Sequence, residues 1–149
     1  MRFGLRTLLI AVTAVCLALG MVCDRAYRQK RAVDDILASG GRVSYREAGG
    51  WLTLDRLWLG RDFFQPVTKV FWAGAAIEDD DLACIRALPG LDMLSLASTP
   101  VTDAGLMHLE SLHAAVLIDL RFTQVTDNGV ARLRRELPQA KILLHNDVE

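Results

Sequence analysis

A spacing of 24 residues is the feature that most limits what this chain can fold into. The segment "VTDAGLMHL" begins at Val101, and "VTDNGVARL" begins at Val125. A third block, which begins at Ile77, has apolar residues in the same columns. Three of these columns hold Ile77, Val101 and Val125, then Leu82, Leu106 and Val130, then Ile85, Leu109 and Leu133. Similarity at a fixed period of this length predicts structural units that stack on one another.

Each unit combines two periodicities. Leu94 and Leu96 are two residues apart, which places both side chains on one face of a strand. Leu106 and Leu109 have the spacing of one face of a helix. A strand and a helix in every unit predict an α/β fold. Because a single unit cannot bury its own apolar edge, neighbouring units are expected to share a continuous core.

The last unit departs from the strict period. Leu137 aligns with Leu112 only after an insertion of one residue. When this shift is continued to the end of the unit, Leu143 is predicted to face the core. Ile142 and Leu144 are then predicted to face outwards, because neighbouring residues of a strand point to opposite faces.

The segments "LDMLSLASTPV" and "AVLIDLRFTQV" resemble the leucine-rich-repeat pattern LxxLxLxxNxL, with Thr99 and Thr123 where that family often has Asn or Cys. "TDAGL" and "TDNGV" are similar to the helix starts of its 24-residue bacterial version, and the first block departs from them with "EDDDL". The resemblance covers about Val67 to Leu144. It implies a short solenoid with parallel strands on the concave face and helices on the convex face. It also implies binding of other macromolecules on the concave face, without a reaction.

Polar residues at the predicted helix starts are expected to be structural caps. A side-chain oxygen there can accept a hydrogen bond from a free backbone amide, and a negative charge suits the amino end of a helix. The predicted caps are Asp79, Thr102, Asp103, Thr126 and Asp127. Thr99 and Thr123 are expected to bond the turn backbone from inside, since a buried hydroxyl without a partner is unfavourable.

The amino-terminal segment Thr7–Cys23 is uncharged and apolar, and Arg2 and Arg6 precede it. As a helix it spans about 25 Å, close to the roughly 30 Å of a bilayer's hydrocarbon core. A membrane anchor is favoured over a cleaved signal peptide, because the run continues to Cys23 and the basic "DRAYRQKR" follows it. The protein is therefore expected to cross a membrane once, or to be secreted if the segment is cleaved. The basic residues on the two sides do not decide which side holds the rest of the chain.

Residues 24–66 are expected to join this anchor to the repeats. A helix is predicted to continue to about Ser39 and to stop at Gly40 and Gly41, and "RVSYRE" is predicted to form a short strand. The aromatic-rich stretch from Trp51 to Phe64 is interpreted as an end cap. The predicted division is thus an anchor or signal segment (1–23), a juxtamembrane helix and cap (24–66), and repeats (67–149).

Charge and motif content favour a protein without catalytic activity. Lys and Arg total 17 against 18 for Asp and Glu, so no nucleic-acid partner is expected. His108 and His113 are five residues apart, which does not match a helical zinc motif. The run Glu78–Asp81 lacks the spacing of a calcium loop. No phosphate-binding loop or activated nucleophile is recognised, so neither a cofactor nor a metal is predicted.

The outward side chains of the strands are predicted to bind an unknown protein partner. The predicted surface consists of Lys69, Phe71, Met93, Ser95, Leu117, Asp119, Arg121 and Ile142. Its apolar row is typical of an interaction site, unless the amino-terminal segment or a second copy covers it. The sequence therefore predicts a membrane-tethered module for protein interaction or scaffolding. The alternatives are a structural envelope protein that self-associates through its strand edges and a small metal-dependent hydrolase.

Overall fold

The chain has a mixed α/β fold. A computed structural model describes residues 4–46 and 65–144, without the side chains of residues 5–8. The described helical elements are α1 (Leu5–Ala38), two 3₁₀ helices (Asp79–Ala87 and Gly105–His108) and α2 (Asp127–Glu136). The described strands are β1 (Arg42–Tyr45), β2 (Val67–Phe71), β3 (Met93–Ser95), β4 (Leu117–Asp119) and β5 (Lys141–Leu143). The predicted aromatic cap at Trp51–Phe64 lies outside the described residues.

The strands form one mostly parallel sheet in the order β1-β2-β3-β4-β5. β1 is antiparallel to β2, and each later strand is parallel to the one before it. Paired residues on neighbouring parallel strands are 24 positions apart, so Lys69, Met93, Leu117 and Lys141 lie side by side across the sheet. The helical segments make the crossovers that parallel strands require. The predicted parallel strands and the predicted strand at "RVSYRE" are confirmed.

One hydrophobic core lies between the sheet and the helical segments. Leu94, Leu96, Ile118 and Leu120 point inwards from the strands and are 0% exposed. The helical side contributes the predicted apolar positions, all buried: Leu82, Ile85, Leu106, Leu109, Val130 and Leu133. The two periodicities therefore predicted the core correctly.

The predicted outward position of Ile142 is wrong. Ile142 pairs with the core residue Ile118 and is only 3% exposed, so Lys141 takes the outward position beside Leu117. The extra residue before Leu137 is compensated within the same unit. Two residues separate Ala115 from Ile118, whereas Lys141 alone separates Ala140 from Ile142. The strand register is thereby restored, and Leu143 lies beside the outward residue Asp119.

The helical segments differ in type. Of the three described segments that connect parallel strands, Asp79–Ala87 and Gly105–His108 are 3₁₀ helices and α2 is an α-helix. Gly105–His108 has four residues, which is too few for α-helical hydrogen bonding to propagate. 3₁₀ geometry is common in such short connecting pieces. The prediction of helices on this side holds for their position, and α2 alone has the α-helical form.

α1 has two environments along its 34 residues. Its amino-terminal part exposes large apolar side chains, and the helix passes the length and hydropathy requirements for crossing a membrane from Leu9 onwards. Its carboxyl-terminal part packs against the first 3₁₀ helix and β1, and its residues Ala32, Val33 and Ile36 are buried in the core. This packing closes the end of the core that lies nearest the amino terminus.

The end of α1 is fixed by backbone and side-chain bonds. Gly40 has a φ of 79°, and the Gly41 amide donates to the Ile36 carbonyl at 2.8 Å. Trp72 Nε1 donates to Ser39 Oγ at 2.9 Å. The predicted stop at Gly40 and Gly41 is therefore confirmed, because a left-handed glycine is a common way to end a helix.

Candidate functional site

The outward face of the sheet contains the predicted interaction residues, with one exception. Lys69, Met93 and Leu117 lie in one row, and Lys141 stands where Ile142 was expected. The two lysines at the ends of the row are exposed, whereas Met93 and Leu117 are half-buried. The row therefore has a half-buried apolar centre between two exposed, charged positions.

The second row offers less side-chain surface than expected. Phe71, Ser95, Asp119 and Leu143 lie side by side in it. Phe71 and Leu143 are half-buried, but Ser95 and Asp119 are each 6% exposed. Ser95 and Asp119 thus lie on the predicted face but can contribute little direct contact area.

Asp119 fixes the position of Arg121. Its Oδ1 accepts from the backbone amide of Arg121 at 3.1 Å and from Nε at 2.9 Å, while its Oδ2 accepts from Nη2 at 2.8 Å. These bonds from Arg121 hold the pKa of the Asp119 carboxyl below its ordinary value. Arg121 keeps 41% of its side chain exposed, so this pair presents a guanidinium in a fixed orientation.

The Asp119 and Arg121 pair predicts a dependence of stability on pH. A lowered pKa in the folded chain stabilises it above the unfolded pKa of about 4, and this stabilisation is lost as the pH falls through the folded pKa. We expect Arg121→Gln to lower the free energy of unfolding at neutral pH, and the difference from the unchanged chain to shrink below about pH 4. Urea unfolding followed by circular dichroism at several pH values measures this. A difference that stays constant down to the most acidic folded sample would contradict the assignment.

Two of the predicted caps form bridges between neighbouring units instead. Asp79 accepts from the backbone amide of Thr102 at 2.8 Å and from its hydroxyl at 2.6 Å. Asp103 accepts in the same way from the amide and hydroxyl of Thr126, at 2.8 and 2.6 Å. Each carboxylate therefore stabilises the start of the helical segment in the next unit. Asp79 and Asp103 were predicted to cap the helical segments of their own units. This prediction is wrong, because their carboxylates bond the threonine at the start of the following segment.

Two glycines that the sequence analysis did not single out make these bridges sterically feasible. A Cβ on Gly105 would lie 2.6 Å from Asp79 Oδ1, and a Cβ on Gly129 would lie 2.3 Å from Asp103 Oδ1. Both distances are shorter than any ordinary contact, so only glycine leaves room for the carboxylate. The sequence signal for these bridges is the recurring "TD" that is followed, after one residue, by Gly. In the first block, the position that corresponds to Gly105 and Gly129 holds Asp81. This block packs against α1, and the described residues include no earlier unit that could supply a bridging carboxylate.

The remaining predicted caps behave as follows. Thr126 Oγ1 accepts from the Gly129 amide at 3.2 Å and caps α2, and Thr102 Oγ1 accepts from the Ala104 amide at 3.2 Å. Asp127 lies exposed in the first turn of α2, where its charge can favour the helix without a capping bond. In the first block, Glu78 and not Asp79 is the N-cap residue.

The predicted role of the two turn threonines is confirmed. Thr99 Oγ1 donates to the Leu96 carbonyl at 2.6 Å, and Thr123 Oγ1 donates to the Leu120 carbonyl at 2.7 Å. The turns that precede them contain residues with left-handed backbone, Ser98 with a φ of 59° and Phe122 with a φ of 60°. These bonds hold the chain as it leaves the strand, so the threonines are structural.

A groove of about 590 Å³ lies between the carboxyl end of α1 and the first 3₁₀ helix. Asp35, Asp80, Asp81 and Cys84 line it together with small residues. Burial and the negative charges of Asp35 and Asp81 raise the pKa of the Cys84 thiol to about 11. The group is therefore protonated at neutral pH, which is the less reactive form of a cysteine.

Cys84 is accordingly expected to react slowly with an alkylating agent. At about pH 8 its alkylation by iodoacetamide should be at least about tenfold slower in the folded chain than in the urea-unfolded chain. Asp35→Asn should speed the reaction in the folded chain, because it removes a negative charge that disfavours the thiolate. Mass spectrometry of a Cys16→Ser and Cys23→Ser background follows Cys84 alone. Equal rates in folded and unfolded chains would show that the thiol is not protected.

Two of the three histidines, His108 and His113, lie among the described residues. His108 is half-buried and His113 is exposed. Across residues 4–46 and 65–144, no group of three or more His, Cys, Asp or Glu side chains is arranged to hold a metal ion. The run Glu78–Asp81 includes the capping pair Glu78 and Asp81, together with the bridging residue Asp79.

Comparison with known protein families and with curated proteins finds no match to this chain.

Proposed function

We propose that this chain is a membrane-tethered leucine-rich-repeat module that binds a protein partner and has no catalytic activity. In this proposal the segment 67–149 is a short solenoid, residues 24–66 close its amino-terminal end, and residues 7–23 are the membrane anchor. The outward face of the sheet is the binding surface. The alternative of a cleaved signal segment would give the same module in secreted form.

Three regularities support a solenoid. Neighbouring parallel strands pair residues 24 positions apart. The bridges from Asp79 to Thr102 and from Asp103 to Thr126 recur at the same interval. The left-handed turn residues Gly74, Ser98 and Phe122 also follow at steps of 24. Stacking of equivalent units accounts for all three, because each contact then repeats once in every unit.

The observation that carries the binding role is the apolar centre of the outward face. Met93 and Leu117 are nearest neighbours there, and Phe71 and Leu143 lie in the adjoining row. All four side chains are half-buried, so each leaves apolar surface exposed. A contiguous apolar patch on a protein surface is typical of an interaction site.

Leu117→Asp tests this role in the full chain. The unchanged chain and the variant are reconstituted in lipid nanodiscs, and partners are captured from solubilised membranes. We expect at least one protein to bind the unchanged chain and to be lost with the variant, while circular dichroism shows that both are folded. Arg135→Asp, an exposed residue of α2, is the control and should bind as the unchanged chain does. Partners retained by a folded Leu117→Asp chain would move the binding site away from this face.

A self-associating structural protein is the second candidate. Among the described strands, β1 and β5 lie at the two ends of the sheet and each has a neighbouring strand on one side only. An end strand is where a sheet can pair with another chain. Pairing of two such edges would join two copies. Sedimentation of the full chain in detergent over a range of concentrations distinguishes the candidates, since only self-association predicts a mass that rises with concentration.

A further inference from the structure

The outward face of the sheet is basic, although the whole chain has a formal net charge of -1. Lys69 and Lys141 end the first row and are exposed. Arg42 pairs with Phe71, so it extends the second row and is also exposed. Among the described residues of these two rows, the acidic one is Asp119, which is bound to Arg121 and is 6% exposed. The surface that a partner meets is therefore positively charged around its edge.

The positive charges surround the apolar centre. Strands in a sheet are about 4.8 Å apart, so the three steps from Lys69 to Lys141 cover about 14 Å. Met93 and Leu117 occupy the two positions between the lysines. A polypeptide segment in extended form spans about 14 Å in roughly four residues. One short segment can thus contact both lysines and the apolar pair at once.

We infer that the partner presents a short peptide segment in which carboxylates lie on both sides of one or two large apolar side chains. This inference rests on the proposed binding function and adds the chemistry of the partner. The apolar side chains would contact Met93 and Leu117, and the carboxylates would lie next to Lys69 and Lys141. Exposed ion pairs add little affinity, but they select the partner and speed its association.

A peptide segment fits this face better than a membrane surface or a nucleic acid. Met93 and Leu117 are half-buried between exposed lysines, so this face has little apolar area to insert into a bilayer. Asp119 lies within the face, and Phe71 is the one aromatic residue among the described members of the two rows. Nucleic-acid surfaces instead combine several basic residues with stacking aromatics.

Selection from random short peptides displayed on phage tests the inference. The target is the full chain in nanodiscs of phosphatidylcholine, which has no net charge. We expect the enriched peptides to have Asp or Glu on both sides of Leu, Ile, Phe or Met. Binding of such a peptide should weaken about tenfold with Lys69→Glu/Lys141→Glu, and selection on that variant should enrich Lys and Arg instead. Lys30→Glu/Arg135→Glu makes the same charge change elsewhere on exposed residues and should leave the preference unchanged.

The outcomes separate the inference from the function on which it rests. Peptides that require Leu117 but show no excess of acidic residues, or that bind the lysine-reversed chain equally well, overturn the inference and leave the binding role intact. If no peptide is obtained whose binding is abolished by Leu117→Asp, both the inference and the proposed binding role are overturned. A further measurement tests whether the full chain binds phosphatidylserine vesicles. Vesicle binding that depends on Lys69 and Lys141 and is not displaced by an enriched acidic peptide would identify a lipid surface as the occupant.

Discussion

Leu120→Asp is expected to prevent folding of the part of the chain that contains the sheet, whereas Leu117→Asp is expected to leave it folded. Leu120 is 0% exposed within the core, and Leu117 is half-buried on the outward face. Truncation of a buried leucine to alanine already costs about 2 to 5 kcal/mol, and an unpaired buried carboxylate adds to this. The total approaches the roughly 5 to 15 kcal/mol by which a domain of this size is stable.

Circular dichroism and thermal melting of the two variants in the same detergent measure this difference. Ile142→Asp and Lys141→Asp form a second matched pair on the last strand. We expect Ile142→Asp to unfold the chain, because Ile142 is 3% exposed, and Lys141→Asp to leave it folded. Equal unfolding within either pair would show that the strand faces are assigned incorrectly.

Gly129→Ala is expected to destabilise the chain by about 2 kcal/mol, and Asp103→Ala is expected to remove most of that effect. The added Cβ would lie 2.3 Å from Asp103 Oδ1 and 3.0 Å from Leu106 Cδ1. The carboxylate must therefore leave Thr126, and both of its bonds to that residue are lost. Once the Asp103 carboxylate is removed, the remaining close atom is Leu106 Cδ1, which is the end of a flexible side chain and can shift. An alanine in place of Gly129 then suits a helix better than the glycine does.

A double-mutant cycle of the two substitutions, measured by urea unfolding, gives the coupling between them. Asp103→Ala alone should cost about 1 to 2 kcal/mol, because the Thr126 amide loses its partner. Gly90→Ala is a matched control, since a Cβ there meets no atom within 4 Å. Additive effects of Gly129→Ala and Asp103→Ala would show that the carboxylate does not occupy the space in front of Gly129.

The sequence predicted the core because burial follows local periodicity. Leu94 and Leu96 had to share a face whatever surrounded them, and both are 0% exposed. The bridges were missed because helix capping is a local concept, whereas the partner of Asp103 is 23 residues away. The parallel pairing of strands, which sets residues 24 positions apart side by side, brings the two residues together. Gly105 and Gly129 follow the same principle, since the atom that excludes a Cβ belongs to the preceding unit.

The candidate site was predicted in part. Sequence alternation placed Met93 and Leu117 correctly on the outward face, but Ile142 was assigned to that face because the insertion in the last unit was continued too far. Alternation gives the face of a residue and not its exposure. Asp119 shows this, because its bonds to Arg121 and its neighbours on the sheet leave it 6% exposed. The positive charge around the outward face was not predicted, because it depends on the positions of Arg42 and Lys141. These positions follow from the pairing of β1 with β2 and of β5 with β4.

α1 runs without interruption from Leu5 to Ala38, so the turns suited to a bilayer and the turns that pack against the first 3₁₀ helix belong to one rigid rod. If the first part of α1 is embedded in a membrane, the orientation of the sheet relative to the membrane normal is set by the direction of α1, because the helix has no break between the two parts. Each residue of an α-helix contributes about 100° of rotation, so inserting one residue near Gly20 would turn the outward face of the sheet by more than a quarter circle relative to the first part of α1. A partner that contacts both the first part of α1 and the outward face of the sheet would detect that rotation, whereas a partner that contacts the face alone would not.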